Sequence, residues 1–239
     1  MTPGTIIDTR HGKMIMHYPD DYISQQLINT GEYEWYVVRL MSSICHNCND
    51  GIILDIGANI GTISLPIAQM FPQLEVHSFE VQPKISNILR ENIALNALKN
   101  IIVYNHGLGN YNGSVDIQQF DYSNTSNIGA FSLNPEVWKH SPDAHGTGET
   151  ITVDIKKLDS IEFSSPIQCI KLDVEGFELS VLQGAVETLE KHNYPPVIYE
   201  LWLYNRWWDS NRQQINDFLT NLGYSIAYHD DTAVAVKHK

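Results

Sequence analysis

A glycine-punctuated stretch, Asp55-Ile56-Gly57-Ala58-Asn59-Ile60-Gly61-Thr62, follows the apolar run that begins at Ile52. Gly57 and Gly61 let the backbone turn sharply and approach a ligand with no side chain between. A dinucleotide site would read G-x-G-x-x-G and set a pyrophosphate on the following helix N-terminus. Here Asn59 and Thr62 stand where the second and third glycines would be, and Asp55 brings negative charge to where a phosphate would lie. A ligand with an amine and a sulfonium suits that carboxylate better, which favours S-adenosylmethionine over NAD. Glu80, 19 residues beyond Gly61, can accept both hydrogen bonds of a ribose diol. That feature supports a nucleoside without choosing between the two ligands.

A second constellation, Asp173-Val174-Glu175-Gly176-Phe177-Glu178, sets three carboxylates within six positions. An alcohol acceptor must lose its proton to a positioned base or to a metal that acidifies it. Asp173 and Glu175 are the expected catalytic groups. Asp173, Glu175 and Glu200 are also an oxygen set that would suit magnesium better than zinc. Glu178 can equally do no more than complement a helix dipole, and no metal ligand is assigned. His106 is expected beside an adenine edge or capping a turn, with a second general base as the alternative. Trp202, Tyr204, Trp207 and Trp208 could wall an acceptor site, with Arg206 meeting an anionic group, or simply bury their rings. Asn127-Ile128-Gly129 and Ser132 could form a lid. Cys45 and Cys48 have redox or half-zinc spacing, but Cys169 supplies no second ligand pair, so the cysteines read as structural.

These groups need elements to carry them. Ile52–Ile56 is short, apolar and β-branched, as a buried parallel strand should be. A helix over Thr62–Met70 follows, then a strand at Glu75–Glu80, a helix opened by Pro83, and a strand at Ile101–Tyr104. Ser114–Gln118 and Thr150–Ile155 read as strands around a polar stretch too long for an idle loop. The alternation resumes with a strand at Ile167–Leu172, a helix over Glu178–His192, a strand at Val197–Trp202 and a helix over Asn211–Asn221. Two strands at Tyr224–Tyr228 and Ala233–Lys237 then form a hairpin. This order predicts an α/β, Rossmann-like fold with a mostly parallel seven-stranded sheet and an antiparallel C-terminal hairpin strand at one edge. Residues 1–50 are expected to be a helical or extended segment packed on a domain spanning 51–239, with an insertion at about 119–149.

The glycine loop and the acidic turn, with Phe79-Glu80-Val81-Gln82-Pro83, Asn92, Asn96, Leu158-Asp159, Val181-Leu182-Gln183-Gly184-Ala185, Pro196 and Glu200, resemble the FkbM family of methyltransferases. Gly31-Glu32-Tyr33-Glu34 resembles an N-terminal element of the same proteins. The resemblance implies a class I fold, S-adenosylmethionine as cofactor, and O-methylation of a sugar, glycan or small natural product. It puts Glu34, Asp55, Gly57, Ala58, Asn59 and Gly61 at the donor, and Glu80 at its ribose. Val81, His106 and Gly107 complete the expected donor surface. Where many relatives read Phe-Glu-Pro, this chain inserts Val81 and Gln82, which alters the surroundings of the adenine.

The formal net charge of −13 argues against nucleic-acid or anionic-membrane partners, which need clustered Lys and Arg. No apolar stretch approaches the ~20 residues of a membrane span, the N-terminus has no secretory pattern, and three cysteines make no disulfide framework. A cytoplasmic protein acting on a small-molecule or carbohydrate acceptor is expected. Oligomeric state is not readable. The rival readings are an NAD-dependent oxidoreductase and a non-catalytic nucleoside-binding module.

Overall fold

A computed structural model describes residues 4–122, 127, 129, 131–134, 137, 146–201 and 206–238; for 118, 120, 146–148 and 206–208 it describes the backbone alone. The chain opens with a hairpin, β1 (Thr5–Thr9) and β2 (Gly12–Met16), followed by α1 (Tyr22–Thr30) and α2 (Trp35–Cys45). Helix α1 begins where the Asp21 carboxylate accepts the Ser24 N–H and ends at Gly31, which takes the left-handed conformation that stops a helix. Then come β3 (Ile52–Ile56), α3 (Ser64–Met70), β4 (Glu75–Phe79), α4 (Pro83–Leu95) and β5 (Ile101–Tyr104). A short β6 (Gly107–Leu108) precedes the long strands β7 (Gly113–Phe120) and β8 (Gly146–Lys156), and these three form a sheet of their own. The remainder is β9 (Ile167–Leu172), α5 (Glu178–Gln183), α6 (Val186–Lys191), β10 (Val197–Glu200), α7 (Arg206–Asn221), β11 (Ser225–His229) and β12 (Thr232–Val236).

The main sheet has seven strands in the order β11-β12-β10-β9-β3-β4-β5. Strands β10, β9, β3, β4 and β5 run parallel, whereas β12 is antiparallel to both of its neighbours. The order reverses between β3 and β9, so a crevice opens beyond their carboxyl ends. Every residue of β3 is buried, and its alternation serves two cores. Leu54 and Ile56 face Leu182, Leu189 and Leu219 on one side of the sheet. Ile53 faces Val38, Met41 and Ile67 on the other.

Three expectations are corrected. The reversed strand lies one place in from the edge, because β12 carries the buried residues Ala233 and Ala235 while β11 is mostly exposed. The single helix expected over Glu178–His192 is two, broken at Gly184, where a Cβ would come within 1.9 Å of the Gly109 carbonyl oxygen. Such close approach of two loops cannot be accommodated by a continuous helix of side chains. The last helix starts five residues earlier than expected, at Arg206.

The N-terminal hairpin is fastened by side chains. Asn92, fully buried on α4, accepts the Ile15 N–H and donates to the Ile60 carbonyl, so one amide ties β2 to the glycine loop. Asn96 accepts from Lys13 N–H and donates to Lys13 C=O, one helical turn further on. Among the described residues no helix is long and apolar enough to cross a membrane.

Candidate active site

Beyond the ends of β3 and β4 lies a cavity that encloses about 870 Å³ when the open solvent at its mouth is included. Gly57, Ala58, Asn59, Glu80, Val81, His106, Gly107, Glu34, Asp173 and Glu175 all line it. Two expected donor residues are not on its surface. Asp55 is fully buried inside the fold: its Oδ2 accepts the Ser64 hydroxyl, and its Oδ1, which accepts no hydrogen bond, lies 3.5 Å from Lys171 Nζ. Alternation along β3 turns it with Ile53 toward α3, away from the crevice. Gly61 packs under the loop, where a Cβ would strike Leu65 and Leu89.

The loop geometry explains its residue types. Gly57 has φ +81°, and a Cβ there would sit 1.7 Å from the Asp173 carbonyl oxygen, so no side chain fits. Asn59 also has positive φ, and its side-chain oxygen accepts the Ile60 N–H. Asparagine tolerates this conformation better than most residues. The Asn59 N–H donates to Glu80 Oε2 at 3.0 Å, and the Gln82 N–H to Oε1 at 2.8 Å. Burial raises the Glu80 carboxyl to about 7, despite those two N–H groups, which favour its ionised form.

Lys171 stands behind the loop. It is the one basic residue in the apolar run of β9, a buried charge that sequence reasoning passed over although it needed a partner. Its Nζ donates to the Gly57 carbonyl at 2.8 Å and lies 3.3 Å from Asp173 and 3.5 Å from Asp55. Burial alone would depress this ammonium; Asp173, Asp55 and Glu34 together hold it above its ordinary range.

His11 was also missed, and no local pattern marks it. Its ring is fully buried, with Nδ1 2.6 Å from the Thr62 carbonyl and Nε2 accepting the Tyr33 N–H at 2.8 Å. The carbonyl requires a proton on Nδ1 and the amide requires a bare Nε2, which fixes one neutral tautomer. Burial favours that neutral form. The imidazole thereby fastens Tyr33 and Glu34 over the start of the α3 segment.

The turn after β9 is held by Glu178, whose Oε1 accepts the Val174 and Gly176 N–H groups. Burial raises its carboxyl to about 7. Glu175, at φ +54°, is presented from this turn. Its carboxyl is pushed well up by burial and then by Asp173 and Glu178. Glu200, at the end of β10, is raised by burial and by Asp173 and Glu175. Glu34 reaches about 7 from burial and Asp173. Carboxylate oxygens of Asp173, Glu175 and Glu200 lie within 4.8 Å of one another.

A broad groove adjoins this point, lined by Tyr22, Gln26, Tyr33, Trp35, Tyr36 and Arg39 among others. Glu34, Tyr33, Asn127 and Glu175 border both the groove and the inner cavity. His106 lines the inner cavity alone, at its Glu80 end, with Nδ1 near the Gly107 carbonyl. In the insertion, Asn127, Gly129, Phe131 and Leu133 line the cavity, and Ser132 donates to the Glu175 carbonyl. Trp202, Tyr204 and Ile128 lie outside the described residues, as do the side chains of Arg206, Trp207 and Trp208. Far from isolated, Cys169 meets Cys45, whose thiol also meets Cys48.

An open α/β sheet with its crevice at the strand-order reversal, a glycine turn and an acid closing the second strand is the arrangement of a Rossmann-like nucleoside-binding fold. The chain belongs to the FkbM methyltransferase family, whose domain pattern matches residues 55–226. It is 26% identical over 236 residues to the methyltransferase sdnD of Sordaria araneosa, covering 86% of this chain and 87% of that one. It is 30% identical over 165 residues to the hexuronic acid methyltransferase AglP of Haloferax volcanii, covering 69% and 61%. With the 2-O-methyltransferase NoeI of Sinorhizobium fredii it shares 26% over 157 residues, 61% of each chain. The chain thus spans most of the first relative and about three fifths of the other two. A solved SAM-dependent O-methyltransferase from Thermotoga maritima shares the fold, with TM-score 0.51, 12% identity and coverage of 99% and 78%.

Proposed function

We propose that the protein uses S-adenosylmethionine to methylate a hydroxyl oxygen of a sugar, glycan or small natural product. The observation that carries this reading is the meeting of two spaces: the cavity that Glu80 and Asp173 line and the groove that Tyr22, Trp35 and Tyr36 line share Tyr33, Glu34, Asn127 and Glu175 as their border. The cavity fits the cofactor on its own chemistry. Glu80 retains lone pairs for a ribose diol, and the side-chain-free bend at Gly57 leaves room for a ligand along the backbone. Ala58, Asn59 and Gly107 would contact it through backbone and small side chains, with Val81 and His106 beside the adenine and Glu34 and Asp173 near the amino acid portion.

Bound there, S-adenosylmethionine supplies a methyl group activated by its sulfonium. The protein's part is to hold the acceptor in line, which removes much of the entropic barrier, and to take its proton. Asp173 and Glu175 are the carboxylates that would meet the acceptor hydroxyl. Asp173 keeps 24% side-chain exposure, open enough to be reached. The rings of Tyr22, Trp35 and Tyr36 suit the apolar faces of a sugar, and the names of AglP and NoeI agree with a carbohydrate or hydroxyl acceptor.

The test is methyl transfer from labelled S-adenosylmethionine to a panel of sugars, uronic acids and phenols, with wild type and Asp173→Asn. Labelled product from wild type, and at least tenfold less from a variant that still binds S-adenosylhomocysteine, is expected. Equal turnover by the two proteins would remove Asp173 from the mechanism.

A further inference from the structure

On the α2 side of the sheet, outside the crevice, three free cysteines meet in one core. Cys45 ends α2 and is fully buried, and Cys169, equally buried, faces it from β9. Cys48 packs on the same core but is partly exposed, with the exposed Asn47 and Asn49 on either side. Its S–H donates to Gln168 Oε1 at 3.4 Å. The Cys45 thiol meets both of the others, so it stands in the middle of the three.

The end of α2 brings two of these thiols within bonding reach. The Cys48 N–H donates to the Cys45 carbonyl at 2.9 Å, closing a four-residue turn whose end α-carbons lie less than about 7 Å apart. A disulfide asks for about 4.4–6.8 Å between them. Exposure then divides the roles. Cys48 is the thiol that a reagent in solution can touch. The hydrogen bond with Cys169 draws the Cys45 thiol below its ordinary range, against the effect of burial. Cys45 is therefore the sulfur best placed to attack its neighbour. Cys169 is held well up by that same hydrogen bond and by burial, so it stays a protonated donor.

We infer that Cys45 and Cys48 form a redox-modification site that exchanges with a low-molecular-weight disulfide, Cys48 reacting first and Cys45 resolving. The Cys48 thiolate attacks one sulfur of the small disulfide, which forms a mixed disulfide on Cys48 and releases one small thiolate. The Cys45 thiolate then attacks Cys48 Sγ and expels the second. Both leaving thiolates take up the protons that the two cysteines gave. The balance is two protein thiols and one small disulfide in, one internal disulfide and two small thiols out; the protein is oxidised and the reagent reduced. Burial, then Cys45 and Asp50, hold the Cys48 thiol up, so the first step quickens with rising pH. The new bond draws Cys45 off Cys169 and replaces a contact between α2 and β9 with a clasp inside one turn. So short a loop returns little chain entropy, and the oxidised protein should melt no higher than the reduced one.

The experiment incubates the reduced chain with oxidised glutathione at pH 7 and pH 9, alkylates the remaining thiols in denaturant, and maps tryptic peptides without reduction. Trypsin releases Cys45 and Cys48 together, in the peptide from Leu40 to Lys84, and Cys169 in another, from Leu158 to Lys171. The first peptide is expected unalkylated and lighter by two hydrogens, with Cys169 alkylated, and it should form at least about tenfold faster at pH 9. Cys45→Ser should stop with glutathione on Cys48, and Cys48→Ser should take up none and form no bond. Should Cys45→Ser fail to melt cooperatively, the wild-type map and Cys48→Ser decide alone. Wild type that keeps both thiols, glutathione that stays on wild-type Cys48, or a bond joining the two peptides through Cys169 would each overturn the inference. A melting temperature raised by several degrees on oxidation would do the same, since it marks a bond that closes a long loop.

Discussion

Glu80 keeps 6% of its surface exposed, and each of its oxygens accepts one backbone N–H. A carboxylate held in this way has lone pairs left for two further donors, which a ribose diol would supply. Replacing it with alanine is expected to weaken S-adenosylhomocysteine binding by about 1–3 kcal/mol, read by calorimetry; unchanged affinity would remove the ribose assignment. The same residue gives binding a pH dependence. With its carboxyl raised to about 7, hydroxyl donors favour the ionised form, so affinity should climb from pH 6 to pH 8 with release of a proton. In Glu80→Gln that climb should flatten; a slope equal to wild type would assign the titration elsewhere. Asp55 shows the limit of reading single residues. Its position near the end of a strand was legible, but the face it points to depends on which side of β3 the ligand occupies. The structure gives that side to the loop backbone and leaves Asp55 to Ser64 and Lys171.

At the scale of elements, the glycine loop and the strands flanking it were legible because each is a local pattern. The carboxylate cluster was only half legible. Asp173, Glu175 and Glu200 were grouped from the sequence because each ends or follows a parallel strand at the same end of the sheet, whereas Glu34 reaches them from the start of α2, and nothing local announces that meeting. Two asparagines that marked the family resemblance prove to be fasteners: Asn92 and Asn96 bind the β2 backbone to α4. His11 does the same between the N-terminal segment and Thr62. Removing a buried side chain that satisfies two backbone groups leaves both unpaired. His11→Ala is therefore expected to cost about 1–3 kcal/mol in urea unfolding and to weaken ligand binding with it, since Tyr33 and Glu34 lose their anchor. Full stability in this variant would show that the segment is held by other contacts. The split of the expected helix at Gly184 was not legible either, because its cause, the Gly109 carbonyl, lies 75 residues away.

Across the whole molecule, buried acids make the ligand-free protein sensitive to alkali. The carboxyls of Glu80 and Glu178 are raised from 4.5 to about 7 by burial, so each binds its proton more tightly folded than unfolded. The stability they contribute is complete below the unfolded value of about 4.5 and is lost as pH rises through 7. Each shift corresponds to roughly 3 kcal/mol at most, so thermal unfolding of the ligand-free protein should show a falling melting temperature between pH 5 and pH 8. A rise over that interval would mean the acids are compensated in ways the site does not display. What the seven-stranded sheet accomplishes is to bring a side-chain-free bend at Gly57, the buried acid Glu80 and the carboxylates of Asp173 and Glu175 to one crevice. The measurement that tests this most directly is a crystal structure of the protein with S-adenosylhomocysteine. The account predicts the nucleoside beyond β3 and β4, with both ribose hydroxyls within hydrogen-bond distance of Glu80 and the sulfur turned toward Asp173. A ligand bound elsewhere, or a ribose out of reach of Glu80, would contradict it.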